Sequence, residues 1–358
     1  MSLDYTRLLD RPEISLAEAT LEDALGDKRV LVTGAGGSIG SAMAHLLCGY
    51  GVGSVVLFDN HEASLFHLLQ SLPKSTPGTI RPVLADVRDL RKVEKTIREE
   101  RPQIVFHLAA YKHVPLAESN PDQVVDVNLG GSLNIADLAN RYDIPAVVYP
   151  SSDKAVEPPS IYGATKRAVE LLWGSVGADS TRFRVIRLVN VIGTQGGVID
   201  LFARRIAAGE PISLTSPEAL RYWITMKEAI HLLVAASIVG TASAPLILDV
   251  GRPLSMAETA RRLIDSLADE KNVKIDVTGL RPGERMVELL AYKYETLVRT
   301  RFPGVLRIVD QRQATENLAL PRKTLQGFLR RAPELSDDQL REELFELADP
   351  VAGATAAG

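Results

Sequence analysis

Residues 29–40 read Arg29-Val30-Leu31-Val32-Thr33-Gly34-Ala35-Gly36-Gly37-Ser38-Ile39-Gly40, an apolar run that breaks into glycines. Such a run suits a strand buried on both faces of a parallel sheet. Glycines at 34, 37 and 40 make G-x-x-G-x-x-G rather than the commoner G-x-G-x-x-G. The physics is shared: a tight turn, a backbone able to approach a pyrophosphate, and a helix N-terminus aimed at negative charge. A glycine turn alone is a weak sign, because many are only turns. Here a strand precedes it, a helical pattern over Ser38 to Tyr50 follows, and Asp59 closes the next strand. Gly34, Gly36, Gly37, Ser38, Ile39 and Gly40 are therefore the expected dinucleotide cradle, with Asp59 and Asn60 placed to hold an adenosine ribose. Asp59 would repel a 2′-phosphate and Asn60-His61 offers no arginine to receive one, so the expected cofactor is NAD rather than NADP.

Outward from this turn, strand and helix patterns alternate with short connections. Strands are expected at Arg29–Thr33, Ser54–Asp59, Ile80–Ala85, Ile104–Leu108 and Ala146–Tyr149, and helices at Glu62–Leu72, Leu90–Glu99 and Pro121–Arg141. That order predicts an α/β fold, a doubly wound parallel sheet of Rossmann type, with a smaller α/β substrate-binding lobe after it. The expected division is an N-terminal arm over 1–27, a Rossmann domain over 28–190, a lobe over 191–348 and a flexible tail over 349–358. In the lobe, helical patterns run over Val198–Ala208, Lys227–Val239 and Met256–Ala268, the pattern fades beyond Leu290, and Ser336–Leu347 reads as a capped amphipathic helix.

The 358 residues carry 41 Lys+Arg against 45 Asp+Glu, a balance with no general attraction to nucleic acid or anionic membrane. Asp4, Arg7, Asp10 and Arg11 precede any apolar run, so no signal-peptide pattern is expected, and the apolar segment Ile230–Gly240 is too short to span a bilayer. One cysteine, Cys48, lies on an apolar helix face and reads as a core residue; a chain that uses so little cysteine fits a reducing cytoplasm. The six histidines do not cluster with carboxylates at ligand spacing, so no metal site is expected.

The chemistry concentrates in Pro150 to Arg167. Ser151, Ser152, Asp153 and Lys154 fall where the strand Ala146–Tyr149 ends, and ligands of open parallel sheets bind beyond those carboxyl ends. Pro158-Pro159 then breaks the chain before a helix whose first turns carry Tyr162 and, four residues on, Lys166, on one face. A lysine ammonium near a phenol lowers its pKa, which a base drawing a proton from a sugar hydroxyl requires. Elsewhere, Asp86 with Val87 meets either the adenine or, as a cap, the next helix. Leu108, Ala109 and Ala110 offer small residues for backbone approach to the cofactor. Lys112 and His113 face the space between nicotinamide and substrate, with a plain surface loop as the competing reading, and Asn128 is a polar brace or an exposed side chain.

Together these residues resemble the extended short-chain dehydrogenase/reductase superfamily, and more narrowly its capsular-polysaccharide-type nucleoside-diphosphate-sugar 4,6-dehydratases, which typically act on UDP-N-acetylglucosamine. The matching stretches are Thr33–Ser41, Ala109–Glu118, Ser151–Arg167, Arg187–Phe202, Arg221-Tyr222 and Gly279–Glu284. The resemblance implies that hydride leaves sugar C4, water is lost across C5 and C6, and hydride returns to C6. Tyr162 with Lys166 would serve the 4-hydroxyl, Lys154 would be the C5 base as a neutral amine, Asp153 the acid at the 6-hydroxyl and Ser152 a hydrogen bond to the 4-oxygen. Asn190 and Val198 would line the nucleotide, Arg221 would pack on it, and Arg281 with Glu284 would bind diphosphate and ribose; a surface salt bridge is the competing reading of Arg221. A UDP-linked amino sugar as substrate, no membrane segment and a homo-oligomer complete the expectation. The chain departs from the pattern at Tyr162, where long-form members often have methionine, which leaves both outcomes at C5 open. It also departs at Val189, Gln195, Gly197 and Asp200, where members often carry glycine, arginine, serine and proline. The alternatives are a UDP-sugar 4-epimerase, which needs no acid at C6, and a non-catalytic sugar-nucleotide-binding protein.

Overall fold

A computed structural model describes residues 8–74, 78–175, 182–239, 241, 244–267, 273–314 and 319–349. Residues 1–7 of the arm, Ala268 and residues 350–358 of the expected tail lie outside the described residues. The apolar runs pair into one nine-stranded sheet. Its strands are β1 (Arg29–Thr33), β2 (Ser54–Asp59), β3 (Thr79–Leu84), β4 (Ile104–His107), β5 (Ala146–Ser152), β6 (Arg182–Leu188), β7 (Leu246–Leu248), β8 (Glu295–Arg299) and β9 (Val305–Asp310). They lie in the order β8-β9-β7-β6-β5-β4-β1-β2-β3, all pairs parallel except that β9 runs antiparallel to both β7 and β8. The chain winds one way from β1 to β3 and the other way from β4 to β6. The crevice for a ligand therefore opens beyond β1 and β4.

Alternation along the strands divides the core. Leu31, Val56, Phe58, Val105, Val147 and Tyr149 face one side, where α4 (Leu90–Glu100), α5 (Gly131–Arg141) and α6 (Ile161–Ser175) pack. Val30, Val32, Val55, Leu57, Phe106 and Val148 face the other, covered by α1 (Glu18–Leu25), α2 (Ser38–Gly49), α3 (Glu62–Ser71) and α8 (Met226–Ile238). Each such buried aliphatic side chain contributes about 1.5–3 kcal/mol relative to exposure. Cys48 lies in this second cluster, as expected. His107, wholly buried, has Nδ1 2.8 Å from Thr33 Oγ1 and Nε2 3.1 Å from Ser132 Oγ. Burial pushes it down to about 3, so it stays neutral and pins β1, β4 and α5 together behind the crevice.

A third cluster gathers α7 (Val198–Ala207) and α9 (Met256–Leu267) around Trp223, and Leu8 and Leu9 of the arm are buried in it. Arg11 fastens the arm further, with Nη1 2.5 Å from Glu228 Oε1 and Nη2 donating to Trp223 O. Beyond Leu290, where the sequence pattern faded, the chain returns to the main sheet through β8 and β9 and then forms α10 (Arg322–Arg331) and α11 (Asp337–Ala348). Ser336 caps α11 in a full capping box. Among the described residues no helix is long and apolar enough to cross a membrane.

Candidate active site

β5 runs three residues beyond the expected strand, through Ser152, and turns at once into a short 3-10 turn over Asp153–Ala155. Ser152 Oγ accepts the Lys154 N–H at 3.3 Å and donates to Asp153 Oδ1 at 2.9 Å. The first turn of α6 presses on this turn: a Cβ at Gly163 would lie 2.2 Å from Lys154 O, so only glycine fits beside Tyr162. Tyr162, Ser152, Asp153 and Lys154 thus share one half-closed space, and the Ser152 hydroxyl hydrogen-bonds the Tyr162 phenol.

Lys154 Nζ is 3.1 Å from Asp153 Oδ1, 3.3 Å from Glu288 Oε1 and 3.4 Å from Asn190 Oδ1. Burial disfavours the ammonium, but the charges of Asp153, Glu288 and Tyr162 outweigh it and raise the Lys154 pKa. These charges favour the ammonium of Lys154, held between Asp153 and Glu288, over the neutral amine expected of a C5 base. Asp153 is buried, and its Oδ2 has no hydrogen-bond partner among the described residues.

The expected effect on the phenol is corrected. Burial raises the Tyr162 pKa more than Lys154 and the Ser152 hydrogen bond lower it. Lys166 is directed at the strand rather than at the phenol: its Nζ donates to Pro150 O at 2.9 Å, 4.4 Å from the Tyr149 ring centroid and 5.8 Å from that of Tyr162. Burial pushes Lys166 down to about 7, so its charge is poised near neutral pH.

The glycine turn has the shape of a dinucleotide cradle. Gly34 sits at φ 68°, and a Cβ there would lie 2.7 Å from Ala109 N; at Gly40 it would lie 2.1 Å from Gly34 O. α2 begins after Gly37 with no side-chain cap, leaving its first N–H groups directed into the crevice beside Ser38 and Ile39. Asp59 Oδ2 accepts Gly36 N–H and Oδ1 accepts His61 N–H, each at 2.8 Å, which fixes the carboxylate at the end of β2. Asn60 Nδ2 donates to Asp86 Oδ2 at 3.0 Å, and Asp86 also takes both the backbone and the guanidinium of Arg88. The helix cap is Asp89, not Asp86, which corrects that alternative. Val87 is buried against Gly131 of α5, with its carbonyl held by Asn134. Leu108 N–H donates to Thr33 O and Ala109 N–H to Thr33 Oγ1, bringing the Leu108-Ala109-Ala110 segment to the crevice.

Asn128 is the brace rather than an exposed side chain. A π-helical turn over Asp126–Gly130 holds it fully buried, where it exchanges hydrogen bonds with the Tyr111 backbone and donates to Thr165 Oγ1 at 3.1 Å. This ties the 109–113 loop to α6. Lys112 and His113 are exposed at the crevice mouth. Lys112 Nζ donates to Gln195 O at 3.2 Å and Gln195 N–H to Ser38 Oγ at 2.9 Å, so the 194–197 loop spans both segments. Partial desolvation at the mouth lowers the Lys112 pKa against the Asp200 charge, and the same desolvation with the Lys112 charge lowers that of His113.

Among the other expected substrate residues, Asn190 meets Lys154, and Val198 stands exposed at the start of α7. Arg221 is not a surface salt bridge: its side chain is 11% exposed and faces Glu288 at 3.8 Å. Arg281 is exposed and Glu284 half-buried, and Arg281 N–H donates to Glu284 Oε2 at 3.3 Å. Sequence reasoning missed Glu288. The available signal was a lone carboxylate inside the apolar run Met286-Val287-Glu288-Leu289-Leu290, a position where charge is rarely buried without a partner.

The profile of the family described as "Polysaccharide biosynthesis protein" matches residues 30–310. The chain is 36% identical over 80% of its length to the capsular polysaccharide biosynthesis protein CapD of Staphylococcus aureus, but spans about half of that relative, 49%. It is 27% identical over 79% of its length to a UDP-N-acetylglucosamine 4,6-dehydratase (inverting) of Campylobacter jejuni, covering 85% of it. The solved structure of Pen from Bacillus thuringiensis aligns with 26% identity and a TM-score of 0.71 over 87% of this chain and 99% of that one.

Proposed function

The chain belongs to the polysaccharide biosynthesis protein family of extended short-chain dehydrogenase/reductases, and from that premise we propose that it is an NAD-dependent nucleoside-diphosphate-sugar 4,6-dehydratase acting on UDP-N-acetylglucosamine. The observation that carries this reading is the Asp153–Lys154 contact at 3.1 Å beside Tyr162. A 4-epimerase has use for the phenol but none for a second acid–base pair.

The residues fit the cofactor: Gly34, Gly36, Gly37, Ser38, Ile39 and Gly40 would cradle the pyrophosphate, and Asp59, Asn60 and Asp86 would meet the adenosine end. When bound, NAD supplies reversible hydride storage for sugar C4. Tyr162 would draw the proton from the 4-hydroxyl as its phenolate, a form that the Lys154 charge and Ser152 favour and burial opposes. With a ketone at C4, the C5 proton is acidified. Transfer of one proton from Lys154 to Asp153 then creates a neutral amine and a protonated acid in a single step. Lys154 accepts the C5 proton, Asp153 gives its proton to O6 and water leaves; as C6 takes back the stored hydride, Lys154 would return a solvent-exchanged proton to C5. Asn190, Val198, Arg221, Arg281, Glu284, Lys112 and His113 would hold the sugar nucleotide, the arginines by their planar forks on phosphate. The division at 190/191 is retained as a proposal with three strands of the main sheet beyond it, as is a homo-oligomeric assembly.

A UDP-sugar 4-epimerase is the second reading. The clamped ammonium of Lys154 favours it, because epimerisation asks nothing of a C5 base. Mass spectrometry with proton NMR of the protein incubated with UDP-N-acetylglucosamine in deuterated water separates the two. Loss of one water with deuterium at C5 is the expected result, and the coupling constants give the C5 configuration. An isomer of unchanged composition would establish the epimerase instead.

A further inference from the structure

Glu288 reaches the site from the opposite side of the crevice. Its segment is fixed by the bridge of Leu220 with Val287 and by Leu220 N–H donating to Met286 O at 2.7 Å. Its side chain is 4% exposed, with Oε1 between Lys154 Nζ at 3.3 Å and Arg221 Nε at 3.8 Å. The charged and titratable groups facing Lys154 are Asp153, Glu288 and Tyr162, with Arg221 behind Glu288. A carboxylate is buried this deeply only where cations compensate it. Here the compensating cation is the group that has to exchange protons.

We propose that Glu288 is a positioning residue for the reaction, holding the Lys154 amine against Asp153 and setting how readily Lys154 gives up its proton. This rests on the dehydratase reading and deepens it. In the Lys154-to-Asp153 transfer, one proton moves and both partners become neutral, and Glu288 loses the cation it faces at 3.3 Å. Glu288 therefore opposes the transfer that Asp153 accepts. Because Arg221 shares the same oxygen, the substrate-side segment around 220–221 is linked to the readiness of the amine.

The test needs no substrate, so its outcome is independent of whether the sugar nucleotide loses water. The protein and Glu288→Gln are pulsed with acetic anhydride from pH 8 to 12, and acetylation of Lys154 is read by peptide mass spectrometry against an exposed lysine. Losing an opposite charge at this distance lowers a lysine pKa by about 1 unit or more. Glu288→Gln should therefore label about tenfold faster at pH 10, with the bend of its rate–pH curve at lower pH, and Glu288→Asp should behave as the parent. Should Glu288→Gln not fold, Arg221→Gln makes the opposite prediction, slower labelling, because it leaves Glu288 wholly to Lys154. An unchanged rate, or a faster rate with the bend unmoved, which signals exposure alone, overturns the proposal.

Discussion

Two clusters of buried charge lie on either side of the end of β5. In the first, Asp153, Lys154, Glu288 and Arg221 meet at the crevice; in the second, Arg167, Glu170, Arg187 and Glu295 meet beneath it. Each has two cations and two anions, so composition does not separate them. Pairing does. Arg187 makes forked hydrogen bonds to both oxygens of Glu170 and both of Glu295, at 2.6–2.9 Å, with no side-chain exposure. At the crevice, Lys154 contacts its partners singly, its side chain stays 20% exposed, and Asp153 Oδ2 is left without a partner among the described residues. A structural ion cluster uses its oxygens up, whereas a cluster meant to move protons keeps one oxygen and one face of the cation open.

Arg187→Met breaks this comparison where the effect is largest. It strands Glu295 in the interior, leaves Glu170 with only the Arg167 cation, and should cost about 3–5 kcal/mol in urea unfolding. Burial pushes the Glu170 carboxyl up, but the Arg187 charge and hydrogen bonds overcome that and hold it at about 2. A carboxyl depressed by folding adds stability above its unfolded value and loses it as pH falls through the folded one. Unfolding free energy of the parent protein should thus decline between about pH 4.5 and about 2 from this group, and in Arg187→Met that decline should shrink or reverse, because the unfolded carboxyl still sets its onset while burial without Arg187 pushes the folded value up. A variant as stable as the parent would show that the lower cluster is not structural.

Lys154→Met tests the open cluster. Removing a general base costs about 10²–10⁴ in rate, so water loss should fall by that factor while the stability change stays below that of Arg187→Met. A spectroscopic signal of reduced nicotinamide on adding the sugar nucleotide should weaken but persist, since Tyr162 is intact and loses only the Lys154 charge that favours its phenolate. Undiminished water loss would remove Lys154 from the mechanism.

What the sequence revealed, and what it hid, follows the same division. The glycine turn, Asp59, Ser152-Asp153-Lys154 and Tyr162 were legible because each acts within a few residues of its neighbours along the chain. Arg187 and Glu295 stand 108 residues apart, and Glu288 meets Lys154 across the crevice; no local pattern announces either meeting. β8 escaped notice for a related reason: four of its five residues are exposed, so its pairing with β9 has no apolar alternation to betray it. The Tyr162–Lys166 spacing was read correctly as one helix face, yet shared face is not shared contact, and Lys166 spends its ammonium on Pro150 O. Proton states failed most, because the balance of burial against neighbouring charge is set by groups brought together only in the fold.

Asp59 supplies the smallest and sharpest test, since it shows a third way to keep a carboxylate inside. It is 8% exposed and satisfied by two backbone N–H groups rather than by a cation, so its negative charge is not cancelled locally. An uncancelled charge at the end of β2 is what would discriminate against a 2′-phosphate while accepting a ribose hydroxyl. Asp59→Asn keeps the shape and removes the charge, and one charged hydrogen-bond partner contributes about 1.5–3 kcal/mol. Calorimetric titration should then show the preference for NAD over NADP falling about tenfold, at the lower end of that range. If the parent protein binds NADP the tighter, Asp59 belongs to the lower cluster's class of structural carboxylates, its work being to hold the Gly36 turn in place.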